Sequence, residues 1–247
     1  YGFANIDQGI GVDPNITLFP MEDLAKVLTA TAVLQLAETK AVDLDADVNK
    51  YLSGFSVSNQ YPRPVTLRSI LTHTTGFAES RLGVYTDSLD KLRPLKEYLA
   101  DNAPIQIYPP GKTSTYGDYG YGIAGLVIEE VSKTWFTDYM QQRLLRPLAM
   151  NNTSFVLTDD GLTRIALGYV DIGGGLKANL PGYPHNLPSN SLVSTVRDMA
   201  NYIAMQLNDG VFNNQRILAS DSIQLMQHQQ FTQHPKLPGW TFGFYEN

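Results

Sequence analysis

The chain has 247 residues, of which 43% are apolar and 17% are charged, so it is long enough to bury a core of its own. This composition excludes a disordered, collagen-like or coiled-coil protein. Acidic residues outnumber basic residues by 24 to 18, and this acidic balance argues against a nucleic-acid partner. Because cysteine is absent, disulfides, cysteine nucleophiles and cysteine-ligated metals are excluded as well.

The sequence contains no run of 18 apolar residues, so we expect no transmembrane helix. The first residues, Tyr1-Gly2-Phe3, lack the basic start and apolar stretch of a signal peptide, so the chain begins as if within a domain.

Residues 21–39 predict the first long helix, because their apolar residues recur at helical spacing. Glu22 and Asp23 are expected in its first turn, where acidic groups suit the helix dipole, and Asp23 is a candidate N-terminal cap. The alternating stretch over residues 42–48 is short and acidic and follows a helix closely, so we interpret it as a connecting loop.

A short apolar pattern over residues 65–71 predicts a further helical segment with Gly76 as its stop. His73 lies between them. No histidine has another histidine four residues away, so we interpret His73 as a structural, hydrogen-bonding residue and not as a metal ligand.

The second half of the chain is predicted to be helical with one long loop. Helices are predicted over residues 119–132, 136–145, 195–207 and 219–227. Tyr119 and Tyr121 are expected to pack at the start of the first of these. The glycine- and proline-rich residues 173–188 predict a loop beside a site. Trp240 and Phe242 alternate as in a strand and are expected in the core.

Five segments, in matching order and spacing, carry a family resemblance. Phe19-Pro20-Met21-Glu22-Asp23-Leu24-Ala25-Lys26 stands where the family has Phe-x-x-x-Ser-x-x-Lys, and residues 67–76 look like its Leu-Leu-Thr-His-Thr-Ser-Gly signature. Tyr116-Gly117-Asp118 is similar to its Tyr-x-Asn motif, and residues 147–155 and 191–200 resemble two further conserved segments. The chain thus resembles the serine β-lactamase, penicillin-binding protein and esterase superfamily, in its class C-like, beta-lactamase-related branch.

The resemblance implies an α+β fold of the serine β-lactamase/DD-peptidase type, with an antiparallel sheet flanked by helices and a mainly helical lobe. We expect a single domain over residues 1–247, with the sheet-associated part at about 1–50 and 187–247 and the helical lobe at about 51–186. The third family motif is expected after Tyr245 and is not found in these residues. The sheet is therefore expected to be incomplete, with strands missing at both ends.

The resemblance also implies the chemistry, in which a serine attacks a carbonyl and a lysine and a tyrosine exchange protons. Lys26 and Tyr116 match the lysine and the tyrosine, but Asp23 stands at the nucleophile position. Carboxylate attack would give a labile anhydride, and the charge of Asp23 would hold Lys26 protonated. Asp118 replaces a substrate-binding asparagine and can only accept hydrogen bonds. Acyl transfer is therefore expected to be impaired.

Three interpretations remain open at this point. The first is an impaired hydrolase homologue that still binds a small-molecule or cell-wall-peptide-like ligand. The second is an active β-lactam, peptide or ester hydrolase in which Asp23 is an engineered replacement of serine or another residue serves. The third is a non-catalytic interaction module. Nothing implies a metal, a nucleotide or a redox cofactor. By resemblance the protein is expected in the periplasm or at the outer cell surface, with any membrane anchor outside this chain.

Overall fold

The computed structural model describes residues 2–80 and 82–246, and helices supply most of the core of this part of the chain. The α-helices are α1 (Ala25–Glu38), α2 (Leu67–Leu71), α3 (Leu95–Asp101), α4 (Tyr119–Ser132), α5 (Phe136–Met140), α6 (Asp159–Leu162), α7 (Leu187–Asn190), α8 (Val196–Leu207) and α9 (Ser220–Gln227). Short 3-10 helices lie at Val48–Lys50 and Leu89–Lys91, and a π-helical turn at Gln141–Leu145.

The strands of the described residues pair two by two, and every pair is antiparallel. They are β1 (Phe3–Asn5), β2 (Ile10–Gly11), β3 (Phe19–Glu22), β4 (Phe77–Ala78), β5 (Tyr85–Thr86), β6 (Ile105–Gln106), β7 (Gly168–Asp171), β8 (Leu176–Asn179), β9 (Tyr183–Pro184), β10 (Leu192–Ser194), β11 (Val211–Phe212) and β12 (Gln215–Arg216). The pairs are β1 with β2, β3 with β10, β4 with β6, β5 with β9, β7 with β8, and β11 with β12. The pairing of β3 with β10 ties the chain just before α1 to the segment that leads into α8.

The core is built around α1, which packs against α4 and α7 and is buried at nearly every position. Each fully buried leucine, such as Leu28 or Leu34, contributes about 1.5–3 kcal/mol of transfer free energy. Gly125 of α4 lets α7 approach, since a Cβ there would overlap the ring of Pro188. This packing places the start of α4 beside α7, where the candidate site lies.

The prediction that the first helix begins at residue 21 is wrong. Glu22 belongs to β3, Leu24 is the N-cap residue, and α1 starts at Ala25. Pairing of β3 with β10 outweighs the helical propensity of these residues, and the backbone turns at Glu22, whose φ is 38°. Asp23 is also not a cap, because its carboxylate pairs with Lys26 instead.

The helical segment predicted to run to Gly76 ends earlier, at Leu71. Thr66 and Ser69 form a capping box at its start, and the helix lasts little more than one turn. Gly76 has a different function from the predicted stop. Its φ is 78°, and its backbone oxygen accepts from the N–H groups of Ile107 and Tyr108 at 2.8 and 3.3 Å, where a Cβ would overlap Tyr108.

The long loop predicted over residues 173–188 is largely ordered. Its glycines form the turn of the β7–β8 hairpin, and β9 and α7 follow. The strand predicted over residues 240–245 is instead a tight turn, closed by a hydrogen bond of 2.9 Å from the Thr241 N–H to the Phe244 oxygen. Phe242 is fully buried as expected, whereas Trp240 is only partly buried.

The other helix predictions are confirmed to within a residue, with one difference. The predicted helix over 119–132 matches α4, and those near 195–207 and 219–227 match α8 and α9. The segment over 136–145 changes from α5 to a π-helical turn after Met140. None of the helices in residues 2–80 and 82–246 is long and apolar enough to cross a bilayer.

Candidate functional site

The predicted site residues meet around the ammonium group of Lys26. Lys26 lies in the first turn of α1, and its side chain is only 3% exposed. Its Nζ lies 2.5 Å from Oδ1 of Asp23 and 2.7 Å from Oδ1 of Asp118. The ring of Tyr116 completes the group, with its centroid 4.9 Å from the same nitrogen. Residues at the start of α1 and just before α4 therefore form one cluster, in line with the family resemblance.

Helix α7 holds Asp118 in place. The Ser189 hydroxyl donates to Oδ1 of Asp118 at 2.7 Å, and Nδ2 of Asn186 donates to the Asp118 backbone oxygen at 2.7 Å. Ser189 is fully buried. One oxygen of Asp118 thus accepts from both Lys26 and Ser189, so this carboxylate is engaged by the protein itself.

The ion pairs determine the protonation states in the cluster. Burial alone would lower the pKa of Lys26, but Asp118 and Asp23 outweigh it and hold that pKa above its usual value. Burial would raise the pKa of Asp23, yet the contacts with Lys26 leave it below its usual value. Burial raises the pKa of the Tyr116 phenol, with a further contribution from Asp23 and partial opposition from Lys26. At neutral pH the cluster therefore contains an ammonium, a carboxylate at Asp23 and a neutral phenol.

His73 contacts the segment Tyr116-Gly117-Asp118 from its buried side. Its ring is buried and lies 4.5 Å from the Tyr116 ring, and its Nδ1 accepts from the Gly117 N–H at 3.3 Å. Burial, together with the charge of Lys26, lowers the pKa of His73 to about 3, so the imidazole is neutral. The predicted structural, hydrogen-bonding role is confirmed, and it is exercised next to the site.

An aromatic surface that the sequence did not predict borders the cluster. Trp240 stacks on Tyr116 with ring centroids 5.7 Å apart, and Tyr245 meets Trp240 edge-on at 4.8 Å. The indole Nε1 donates to the Ser114 hydroxyl at 2.6 Å. The prediction that Trp240 lies in the core is therefore wrong. The turn over residues 240–245 places its ring beside the site, and the alternating sequence pattern does not indicate such a turn.

Glu79 is a second residue that the sequence reasoning missed. It follows β4, and its carboxylate accepts from the backbone N–H groups of Asp118 at 2.5 Å and Tyr119 at 2.8 Å. Burial raises the pKa of Glu79, against the effect of these two hydrogen bonds. Tyr119 and Tyr121 themselves are buried at the start of α4, as predicted.

A cavity of about 370 Å³ lies beside Asp118, and it is large enough for a small side chain or acyl group. Its wall includes Glu79, Tyr98, Ile105, Asp118, Tyr119 and Asn186. Larger cavities of about 570 and 640 Å³ lie elsewhere and include none of the four predicted site residues. The described part of the chain contains no group of three or more His, Asp or Glu residues arranged to hold a metal ion.

Known proteins share this fold and parts of this sequence. The model of the family described as Beta-lactamase matches residues 1–246. Penicillin-binding protein 4 of Amycolatopsis lactamdurans is 30% identical over 235 residues, which are 92% of this chain and 61% of that protein. Protein flp of Staphylococcus aureus (strain N315) is 26% identical over 212 residues, which are 84% of this chain and 42% of that protein.

The fold comparison agrees with the sequence comparison. The octameric penicillin-binding protein homologue from Pyrococcus abyssi superposes with a TM-score of 0.82 at 24% identity, over 99% of this chain and 56% of that one. The predicted fold class is thereby confirmed. The chain spans about half the length of the relatives it matches. Because the family model covers nearly every residue, the chain belongs to the beta-lactamase family.

Proposed function

We propose that this chain binds a small ester, β-lactam or cell-wall-peptide-like ligand beside Lys26 without forming an acyl-enzyme. In this proposal, Asp23 occupies the position of the family's serine nucleophile. The observation that carries it is the double ion pair, in which the carboxylates of Asp23 and Asp118 both lie within 2.7 Å of the Lys26 ammonium. We further propose a location outside the cytoplasm, in keeping with the ligand class.

The double ion pair removes the base that acyl transfer needs. A lysine can accept a proton only while it is a neutral amine. With a pKa above 10.5, less than about one molecule in a thousand has Lys26 in that form at pH 7. Asp23 itself is ionised, and an acyl group placed on it would form an anhydride that water opens. Ser189 does not replace the nucleophile, because it is fully buried and its hydroxyl donates a hydrogen bond to Asp118.

The site can still bind a ligand without acyl transfer. The faces of Tyr116 and Trp240 offer apolar surface at the cluster, and the cavity beside Asp118 offers room for one substituent. Two carboxylates face one ammonium in the cluster, so the uncharged ester is expected to bind more tightly than the penicillin, which carries a carboxylate of its own.

Intact-protein mass spectrometry tests the proposal. The protein and its Asp23→Ser and Asp23→Ala variants are incubated with a penicillin and with a p-nitrophenyl ester, and thermal unfolding with each compound reports binding. We expect no adduct on the parent or on Asp23→Ala, with a rise in melting temperature that shows binding. A stoichiometric acyl adduct on the unmodified protein would overturn the proposal.

A second function, that of a competent hydrolase scaffold silenced at position 23, is favoured by the retained pair of Lys26 and Tyr116. Under this second proposal Asp23→Ser gains an adduct and turns over the ester. If neither serine nor aspartate supports an adduct and no compound changes the melting temperature, the role of an interaction module is favoured instead.

A further inference from the structure

The segment Tyr116-Gly117-Asp118 is held by side chains from outside it at successive backbone N–H groups. His73 accepts from Gly117, and Glu79 accepts from Asp118 and from Tyr119, the first residue of α4. Glu79 lies 39 residues before Asp118 in the chain, so this is a tertiary contact and not a local cap.

The contact with Glu79 changes what the Asp118 side chain does. Asp118 occupies the N-cap position of α4, where an aspartate ordinarily accepts from the N–H groups of its own helix. Here the negative charge at the helix start comes from Glu79, which suits the helix dipole equally well. The carboxylate of Asp118 turns instead to Lys26 and Ser189.

Gly117 makes room for this arrangement. A Cβ at position 117 would overlap Oε1 and the carboxyl carbon of Glu79, so a side chain there would displace the Glu79 carboxylate. Gly120, one turn of chain further, differs in this respect, because a Cβ there would meet its nearest atoms at an ordinary 3.6 Å from Ile70 and Thr75. The two glycines therefore form a matched pair for an experiment.

We propose that Glu79 is a positioning residue of the site, which fixes the backbone of Gly117 and Asp118 so that the Asp118 carboxylate reaches the Lys26 ammonium. The inference deepens the function proposed above and rests on it, because it explains what holds Lys26 in its protonated pair. A purely structural Glu79 would stabilise α4 and would act on Lys26 through its own charge alone.

The test is the titration of Lys26, followed by the 13Cε NMR shift and assigned with Lys26→Arg. The groups that face Lys26 are Asp23, Asp118 and Tyr116, with the neutral ring of His73 and the carboxylate of Glu79 behind them. Gly117→Ala displaces the Glu79 carboxylate but keeps its charge on the protein, whereas Glu79→Ala removes that charge as well, so Gly117→Ala is the variant that tests positioning. We expect it to lower the pKa of Lys26 by about one unit, the size of one lost charge partner. Gly120→Ala is expected to leave that pKa unchanged.

A double variant tests whether the effect of Gly117→Ala on Lys26 acts through Glu79. In a Glu79→Ala background, Gly117→Ala is expected to have no further effect on the Lys26 titration, because the displaced group is already gone. Glu79→Gln, which retains one acceptor oxygen, is a second variant should Gly117→Ala fail to fold, and it is expected to move the titration less than Glu79→Ala does. An unchanged Lys26 pKa in folded Gly117→Ala or in Glu79→Ala overturns the inference. A low Lys26 pKa in the parent contradicts the proposed function instead, so the two failures are distinguishable.

Discussion

The two carboxylates that hold Lys26 differ in burial, and this difference predicts unequal contributions to stability. The side chain of Asp118 is 28% exposed and that of Asp23 is 61% exposed, although the contact with Asp23 is the shorter by 0.2 Å (2.5 against 2.7 Å). Distance alone would make Asp23 the stronger partner. Because solvent screens an exposed pair, we predict the reverse.

Double-mutant cycles measure the two contributions. Lys26→Met leaves two carboxylates without their cation and is expected to lower the free energy of unfolding by about 3 kcal/mol at neutral pH. The cycle with Asp118→Asn is expected to give a coupling energy of about 2 kcal/mol. The cycle with Asp23→Asn is expected to stay below about 1 kcal/mol, the range of exposed ion pairs.

Urea unfolding at constant m-value supplies the free energies for both cycles. Arg68→Ala and Asp45→Asn form a reference cycle, because their pair is an exposed one between other elements. Equal couplings, or a larger coupling for Asp23 than for Asp118, would refute the argument that burial and not distance governs this site.

Three further outcomes follow from the same geometry. The pKa of Asp23 is lowered by folding, so its contribution to stability is present above the unfolded pKa of 3.8 and is lost as the pH falls through the folded pKa. The pKa of Lys26 is raised by folding, so its contribution to stability is present below the unfolded pKa of 10.5 and is lost as the pH rises through the folded pKa. Urea midpoints of the parent are therefore expected to fall at both ends, and an acid limb unchanged in Asp23→Asn would contradict this. Gly125→Ala is expected to destabilise the protein by about 1–2 kcal/mol in urea, because the strain of overlap with Pro188 exceeds the helical preference of alanine, and a more stable variant would show that α7 yields freely. Trp240 and Trp135 are the chain's two tryptophans, so fluorescence of Trp135→Phe is expected to report ligand binding through Trp240, and an equal response from Trp240→Phe would place the ligand elsewhere.

The site residues that the sequence singled out, and helix α4, have a local signal. Lys26 follows Asp23 by three positions at the start of α1, and Tyr116 and Asp118 lie two apart just before α4, so each motif keeps its own two residues close together in space. Helix α4 is predicted to its exact bounds in the same way, because its apolar residues recur at helical spacing over 14 residues.

The residues that the sequence missed act across the fold. Glu79 and Ser189 reach Asp118 from 39 and 71 positions away, and neither stands in a pattern that marks a partner. Their contacts exist because β4 and α7 pack beside the start of α4. Glu22 shows the same limit at the level of secondary structure, since its pairing with Leu192 on β10 overrides a helical pattern.

The titration of Lys26 in the unmodified protein tests the central claim, that two carboxylates keep this lysine a cation and not a base. Followed by its 13Cε shift from pH 6 to 12, Lys26 is expected to titrate above the ordinary value of 10.5, and to titrate lower in Asp23→Ser, where one partner is gone. A Lys26 pKa below about 9 in the parent would contradict the account, because a lysine shifted that far down supplies the neutral amine that acyl transfer requires.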